Sequence, residues 1–536
     1  MRDDRGAPAG QTIETPRWLR RTGLIVGPAA AITVLLLPAP GGLSAAGQAV
    51  LATALIMATW WITEALPIPA TSLLPLVLFP LLDVIPMADA SAPYAHPLVF
   101  LFLGGFIIAL AVERSGLHRR LALRAILLVG QGPSHLVLGF MIATAGLSMW
   151  VSNTATVLLM LPIASAVIDR VREQDGEDRT RPFAVAMMLG LAYAASIGGT
   201  ATLIGTPPNI MLAGVFSKLY PAAAPIGFLQ WMLFALPVAA LMLPLTWLLL
   251  VRVMPFSRLD RPSPGDAPRR DAPRRDAIAA RHLATAGQGR AAVREALTGL
   301  GPMTRSEMIV LLVFLVTAAA WMFRVPLELG GIRFPGLTML LPSLDDGMIA
   351  MIAALLLFFI PGEDGRRLLE WSGIERRLPW GVLLLFGGGF ALAEGMRQSG
   401  VTLYLGGLLT GLDGLPLWMT LLLICTVLTF LTEVTSNTAT ASILLPVLAS
   451  AAVALGYHPL LFMVPAALNT SFAFMLPVAT PPNAIVFSSG RVGIRQMAVS
   501  GLALNILGIA VVSSLMLLFG FRVFGIDPAM LPTWAR

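Results

Sequence analysis

The chain has 536 residues, of which 57% are apolar and 12% charged, and its mean hydropathy is +0.81. These values lie far from soluble averages and exclude a water-soluble globular protein in favour of a polytopic membrane protein. The net charge of +7 does not point to nucleic acid, because the arginines sit in short connectors between apolar runs instead of along one soluble face.

In chain order, a leader (1–22) with five arginines (Arg2, Arg5, Arg17, Arg20, Arg21) precedes an apolar run at 23–39. That start and the small residues Ser44-Ala45-Ala46 also resemble a signal peptide. A retained first helix, with its loop filling 23–46, is the simpler reading, because the leader is long and ten more spans follow. Further runs long enough to cross about 30 Å of hydrocarbon occur near 47–63, 69–86, 97–112, 184–214, 228–250, 307–323, 346–360, 379–396, 459–488 and 498–521, eleven in total. Two more apolar stretches, 136–168 and 414–453, carry the pentapeptide SNTAT in their middle, at Ser152–Thr156 and Ser436–Thr440. Each reads as a re-entrant hairpin with the polar motif at its tip. The fold class is therefore an all-α polytopic membrane protein. The segment 252–305 is rich in Pro, Ala and Arg, repeats DAPRR at 266–270 and 271–275, and reads as a disordered cytoplasmic linker. It separates a first repeat (47–251) from a second (306–523), and an external tail (524–536) follows.

The duplication is measurable. Gly104-Gly105-Phe106 recurs as Gly388-Gly389-Phe390, Ser115-Gly116 as Ser399-Gly400, Ser152-Asn153-Thr154 as Ser436-Asn437-Thr438 and Leu161-Pro162 as Leu445-Pro446, each at an offset of 284 (436 − 152 = 284). The Thr-Pro-Pro-Asn runs, 206–209 and 480–483, stand at 274 (480 − 206 = 274). Five spans and one hairpin separate equivalent points, so the second half is inverted relative to the first. Arginines cluster at 114–124, 170–181, 252–305 and 366–377, whereas the connectors 40–46 and 83–96 contain no Lys or Arg. The positive-inside rule then puts the N-terminus in the cytoplasm and the C-terminus outside.

Asn, Ser and Thr offer neutral oxygens, and a chain that unwinds at Pro-Pro frees carbonyls that coordinate a hard cation such as Na⁺. Broken helix ends also present N–H groups to an anion. Two inverted copies would surround one anion with two cation positions, and the absence of Lys or Arg from either motif makes the anion depend on those cations. Small residues in membrane helices also serve close packing alone, and Gly104-Gly105 and Gly387–Gly389 are read that way. Glu433 has Met149 as its counterpart and reads as a structural residue at the hairpin rim. The single cysteine, Cys425, is assigned to packing, and the five histidines show no metal spacing.

These motifs, together with Ile62-Thr63-Glu64-Ala65-Leu66-Pro67, resemble the divalent anion:sodium symporter family, the INDY-type dicarboxylate transporters, from about residue 47 onward. The resemblance implies a homodimer in a bacterial-type inner membrane, with a scaffold domain and an elevator-like transport domain in each subunit. It places one Na⁺ site on Ser148, Ser152, Asn153 and the carbonyl of Gly205. A second falls on Thr432, the carbonyl of Thr435, Asn437 and the carbonyl of Ala479. The anion would meet Asn153, Thr154, Thr206, Asn437, Thr438, Thr480 and Pro481. Interfacial arm helices are implied at 117–128 and 401–411, with Arg119, Arg120 and Arg124 at the lipid surface. The function implied is Na⁺-coupled import of a C4 dicarboxylate such as succinate, malate or fumarate. Alternatives are a Na⁺-independent dicarboxylate exchanger, a sulfate or tricarboxylate transporter of the same family, or a passive anion channel. The chain carries no HExxH, G-x-S-x-G or P-loop and has one lysine, Lys218, which argues against an enzyme.

Overall fold

The structure, a computed structural model, describes residues 16–39, 41, 43–129, 132–254, 289–329, 332–362, 367–408, 414–527 and 530–535. It is helical apart from one antiparallel pair of three-residue strands, Leu327–Leu329 with Ile332–Phe334. Nine helices among the described residues are long and apolar enough to cross a membrane. Two of these nine, Asn153–Glu173 and Asn437–Ala454, are the second arms of the expected hairpins. The other seven coincide with expected spans.

The expected span 379–396 is the unbroken helix Trp380–Gln398 and 346–360 is the shorter helix Asp346–Phe359, whereas three expected runs are interrupted. The run 184–214 is a helix Glu177–Thr200 and a second helix Pro207–Leu219, and the run 459–488 is Leu460–Asn469 and Pro481–Ser488. Each second helix starts with Pro at its first two positions, where proline's missing N–H costs no hydrogen bond but no helix can continue into it from behind. The run 69–86 divides into Ile68–Thr71 and Leu74–Leu81.

Glycines set the closest helix contacts, as expected for membrane packing. A Cβ at Gly104 would lie 2.7 Å from the backbone of Ala350, and one at Gly388 would lie 2.3 Å from the carbonyl oxygen of Ser72. Both positions therefore hold helices at backbone contact. Gly105 faces Ile204 and Gly389 faces Met211, so both stretches reach the segment that carries the first Thr-Pro-Pro-Asn run.

Two expectations are corrected. The linker 252–305 is helical over 289–299. There Val293 is buried and Arg290 donates to the carbonyl of Leu127 at 2.7 Å, so this end of the segment is packed. Residues 255–288, including both DAPRR pentamers, lie outside the described residues. Arg120, assigned to the lipid surface, is instead buried. Its guanidinium meets both oxygens of Glu307 at 3.0 and 3.1 Å and the carbonyls of Gly301 and Pro302 at 2.9 and 3.1 Å. It thereby ties the helix Leu117–Leu128 to Arg305–Met322. Arg120→Leu would leave Glu307 as an uncompensated buried charge, which costs about 3–5 kcal/mol. A thermal melt should show a clear fall in Tm for this variant and none for Arg119→Leu, whose side chain is exposed.

Candidate functional site

Each hairpin is two helices joined by a four-residue turn: Pro133–Ser148 and Asn153–Asp175 in the first, Leu417–Thr432 and Asn437–Ala454 in the second. The sequence stops and restarts these helices by capping. Ser152 accepts from the N–H of Ala155 at 3.3 Å, and Ser436 accepts from Ala439 at 3.5 Å, so each SNTAT serine satisfies a free helix-start donor. Thr206 and Thr480 are extended residues preceding the Pro-Pro starts. The Thr480 hydroxyl accepts from Asn483 N–H at 3.4 Å.

Four helix N-termini, at Asn153, Pro207, Asn437 and Pro481, thus line a single cavity of about 720 Å³. Ser152, Asn153, Thr154, Gly205 and Thr206 line it from one half, and Thr435 to Thr438 with Ala479, Thr480 and Pro481 from the other. Ser148 and Thr432 stand behind these walls and are fully buried. Among the described residues no Lys or Arg lines the cavity, whose wall also includes Pro16, Leu19, Glu64 and Pro379.

Behind each tip lies the same oxygen cluster. Ser148 Oγ is 2.6 Å from Asn153 Oδ1 and 2.8 Å from the carbonyl of Ala195. Thr432 Oγ1 is 2.6 Å from Asn437 Oδ1 and 2.9 Å from the carbonyl of Thr470. Hydroxyl, amide and carbonyl oxygens at these separations are the hard, neutral donor set that suits Na⁺. The hydroxyl of Thr435 is committed to Leu431 O at 2.8 Å and Thr440 Oγ1 at 2.7 Å, leaving its carbonyl as the group it can offer.

The approach of Asn153 depends on a missing side chain. A Cβ at Gly199 would lie 2.3 Å from Asn153 Oδ1, and one at Gly205 would lie 2.3 Å from the Gly199 carbonyl oxygen. Gly199→Ala should therefore push Asn153 off its site and lower apparent Na⁺ affinity by about tenfold or more, the loss of one charge-assisted contact. Sodium titration of tryptophan fluorescence would read it. The counterpart of Gly199 in the second half is Ala473 (473 − 199 = 274), so the constraint belongs to the first half.

Sequence reasoning did not assign three groups. Asn209 Nδ2 donates to the carbonyls of Gly199, Thr200 and Thr202 at 3.4, 3.1 and 2.7 Å, and Asn483 Nδ2 to Ala473 and Leu476 at 3.1 and 3.0 Å. The asparagine of each Thr-Pro-Pro-Asn run is thus a buried clamp on the unwound segment before it. The 274 offset that pairs the two runs carried this signal. Trp150, at the first tip, stacks on Trp321 at 6.3 Å and meets Phe314 edge-on at 4.9 Å, whereas its counterpart Val434 is exposed. Glu433 is buried and accepts from the N–H groups of Phe474, Met475 and Leu476 and from Asn505 Nδ2. Its expected structural role is therefore that of a tie between the second tip and the unwound segment.

The description "Sodium:sulfate symporter transmembrane region" matches residues 18–526. The chain is 43% identical over 513 residues to a sodium-dependent dicarboxylate transporter, SdcS, of Staphylococcus saprophyticus, covering 94% of this chain and 92% of that protein. It is 41% identical over 512 residues to SdcS of Staphylococcus aureus strain MRSA252, again covering 94% and 92%. Among solved structures, the Alcanivorax borkumensis YdaH transporter aligns with TM-score 0.52 at 15% identity, over 81% of this chain and 88% of that one. Neisseria gonorrhoeae MtrF aligns with TM-score 0.53 at 13% identity, over 94% and 95%. These two likenesses concern the fold alone. With a family match over nearly its whole length and relatives above 40% identity, the chain belongs to the sodium:sulfate symporter family, the divalent anion:sodium symporters.

Proposed function

We propose that the protein is a secondary active transporter that imports a C4 dicarboxylate, such as succinate, malate or fumarate, with Na⁺. The observation that carries this reading is one cavity ringed by four helix N-termini and backed by two oxygen clusters, with no cationic side chain among the described residues on its wall. Helix ends and donor N–H groups favour an anion, but two carboxylates need more positive charge than partial dipoles supply. Cations held at Ser148, Ser152, Asn153 and Gly205, and at Thr432, Thr435, Asn437 and Ala479, would provide it. The anion then bridges Asn153-Thr154 and Asn437-Thr438, with Thr206, Thr480 and Pro481 at its ends. Na⁺ binding also orders both tips, lowering the ordering cost for the anion, so coupling follows from the site itself.

With the N-terminus cytoplasmic, the lining residues Pro16, Glu64 and Pro379 stand at helix ends on the inward side, and the two hairpins enter the bilayer from opposite faces. The eleven-span count, the homodimer and the elevator motion of a hairpin-bearing domain complete the proposal, supported by the family and by the pseudo-symmetric site. The test is uptake into proteoliposomes under imposed gradients. Succinate should accumulate only with an inward Na⁺ gradient. Uptake unchanged on removing Na⁺, or requiring preloaded internal dicarboxylate, would replace symport with exchange, and a non-saturable flux would indicate a channel.

A further inference from the structure

A second cavity of about 540 Å³ lies on the far side of the first hairpin tip, lined by Arg114, Arg119, Arg377, Glu113, Val151 and Thr156 among others. Glu113 is paired with Arg377 at 2.5 Å, whereas Arg114 and Arg119 hold no ion pair among the described residues. Two guanidinium charges therefore face the cavity uncompensated. The guanidinium of Arg114 lies against Gly373, where a Cβ would be 3.0 Å from Nη1, so a side chain at that position would crowd it. Thr156 is 1% exposed and its hydroxyl has no hydrogen-bond partner among the described residues.

The internal repeat supplies a control. Thr440, the counterpart of Thr156, bonds Thr435 at 2.7 Å, but the counterpart of Thr435 is Val151 (435 − 284 = 151). The first half has thus lost the partner and kept the hydroxyl. The counterparts of Arg114 and Arg119 are Gln398 and Leu403, so this arginine pair has no equivalent in the second half. The positive-inside rule accounts for exposed arginines on this face, but for neither the open cleft between them nor the orphaned hydroxyl that lines it.

We propose that this cavity is a second anion site, distinct from the transport cavity, that takes a small multivalent anion bearing carboxylate or phosphate groups. Arg114 and Arg119 would grip the anionic oxygens, as guanidinium forks do, and Thr156 would donate its hydroxyl from the hairpin side. An anion held there links the hairpin arm to the Arg114–Arg119 connector. Its occupancy would oppose movement of the tip and slow turnover.

The full-length protein in phosphatidylcholine nanodiscs, titrated calorimetrically with inorganic pyrophosphate, tests this. Binding should persist in Asn153→Ala/Asn437→Ala, weaken about a hundredfold or more in Arg114→Gln/Arg119→Gln, which removes two contacts to the anion, and weaken about tenfold in the near-isosteric Thr156→Val, which removes one. Melting curves check that each variant is folded. No binding to the wild type, binding lost with the transport-site pair, or binding indifferent to both the arginine pair and Thr156→Val would overturn the proposal. A parallel titration in nanodiscs containing phosphatidylglycerol separates the sources of the anion. Competition by that lipid assigns the site to a headgroup phosphate, and unchanged binding assigns it to a soluble anion.

Discussion

Asn153→Ala and Asn437→Ala should each reduce Na⁺-driven succinate uptake by about a hundredfold while leaving the protein folded. Each asparagine does two things at once. Its Oδ1 completes an oxygen cluster with Ser148 or Thr432 at 2.6 Å, and it stands at the start of a helix that faces the cavity. Losing one contact to a charged group costs about 1.5–3 kcal/mol. Here the lost cation also withdraws charge from the anion site, so two such losses compound through the coupling. The two variants should differ in kind from Gln48→Ala, whose amide serves the carbonyls of Val34 and Leu37 away from the cavity. Equilibrium binding of sodium to each variant, measured beside uptake, separates the two contributions. Sodium affinity should fall in both, and succinate affinity at saturating sodium should fall less. Uptake at wild-type rates in both variants would refute the site.

Much of this site was legible in the sequence because its determinants are local and duplicated. Ser152 and Ser436 are helix caps, Pro207-Pro208 and Pro481-Pro482 are helix starts, and a cap or a proline acts within one turn of itself. The repeat then supplied what a single copy could not. Ser148 and Thr432 stand 284 apart, and the structure gives both the same two oxygen partners in kind. What resisted reading is non-local. Arg120 looked like one of three interfacial arginines until its partner Glu307, 187 residues away, appeared beside it. The helix over 289–299 was hidden by the composition of the segment around it, because an average over 252–305 is dominated by its Pro- and Arg-rich part. The clamps of Asn209 and Asn483 escaped notice because a motif identifies which residues recur without saying which way a side chain turns.

Glu433→Gln should be the most damaging conservative change outside the transport cavity's own lining. The carboxylate accepts from three consecutive backbone N–H groups, at 2.7 Å from Phe474, 2.9 Å from Met475 and 3.2 Å from Leu476, and from Asn505 at 2.7 Å. All four are donors, so one carboxylate satisfies the unwound stretch between Leu460–Asn469 and Pro481–Ser488. A glutamine keeps one oxygen and turns an NH₂ toward donors it cannot accept from. The variant thereby strands buried N–H groups at about 1–3 kcal/mol each. The first half does this job with neutral groups: Thr202 Oγ1 donates to Met149 O at 2.5 Å and accepts from Gly205 N–H at 3.1 Å. The damage should therefore be one-sided. Glu433→Gln should lower Tm and abolish most of the Na⁺-induced rise in Tm that linkage predicts for the wild type, because Thr432 and Ala479 lose the segment that positions them. Met149→Leu, at the equivalent place, should change neither, since its contribution is a backbone carbonyl that any residue supplies. A wild-type melting curve for Glu433→Gln, with an undiminished response to Na⁺, would show that the second site does not depend on this tie.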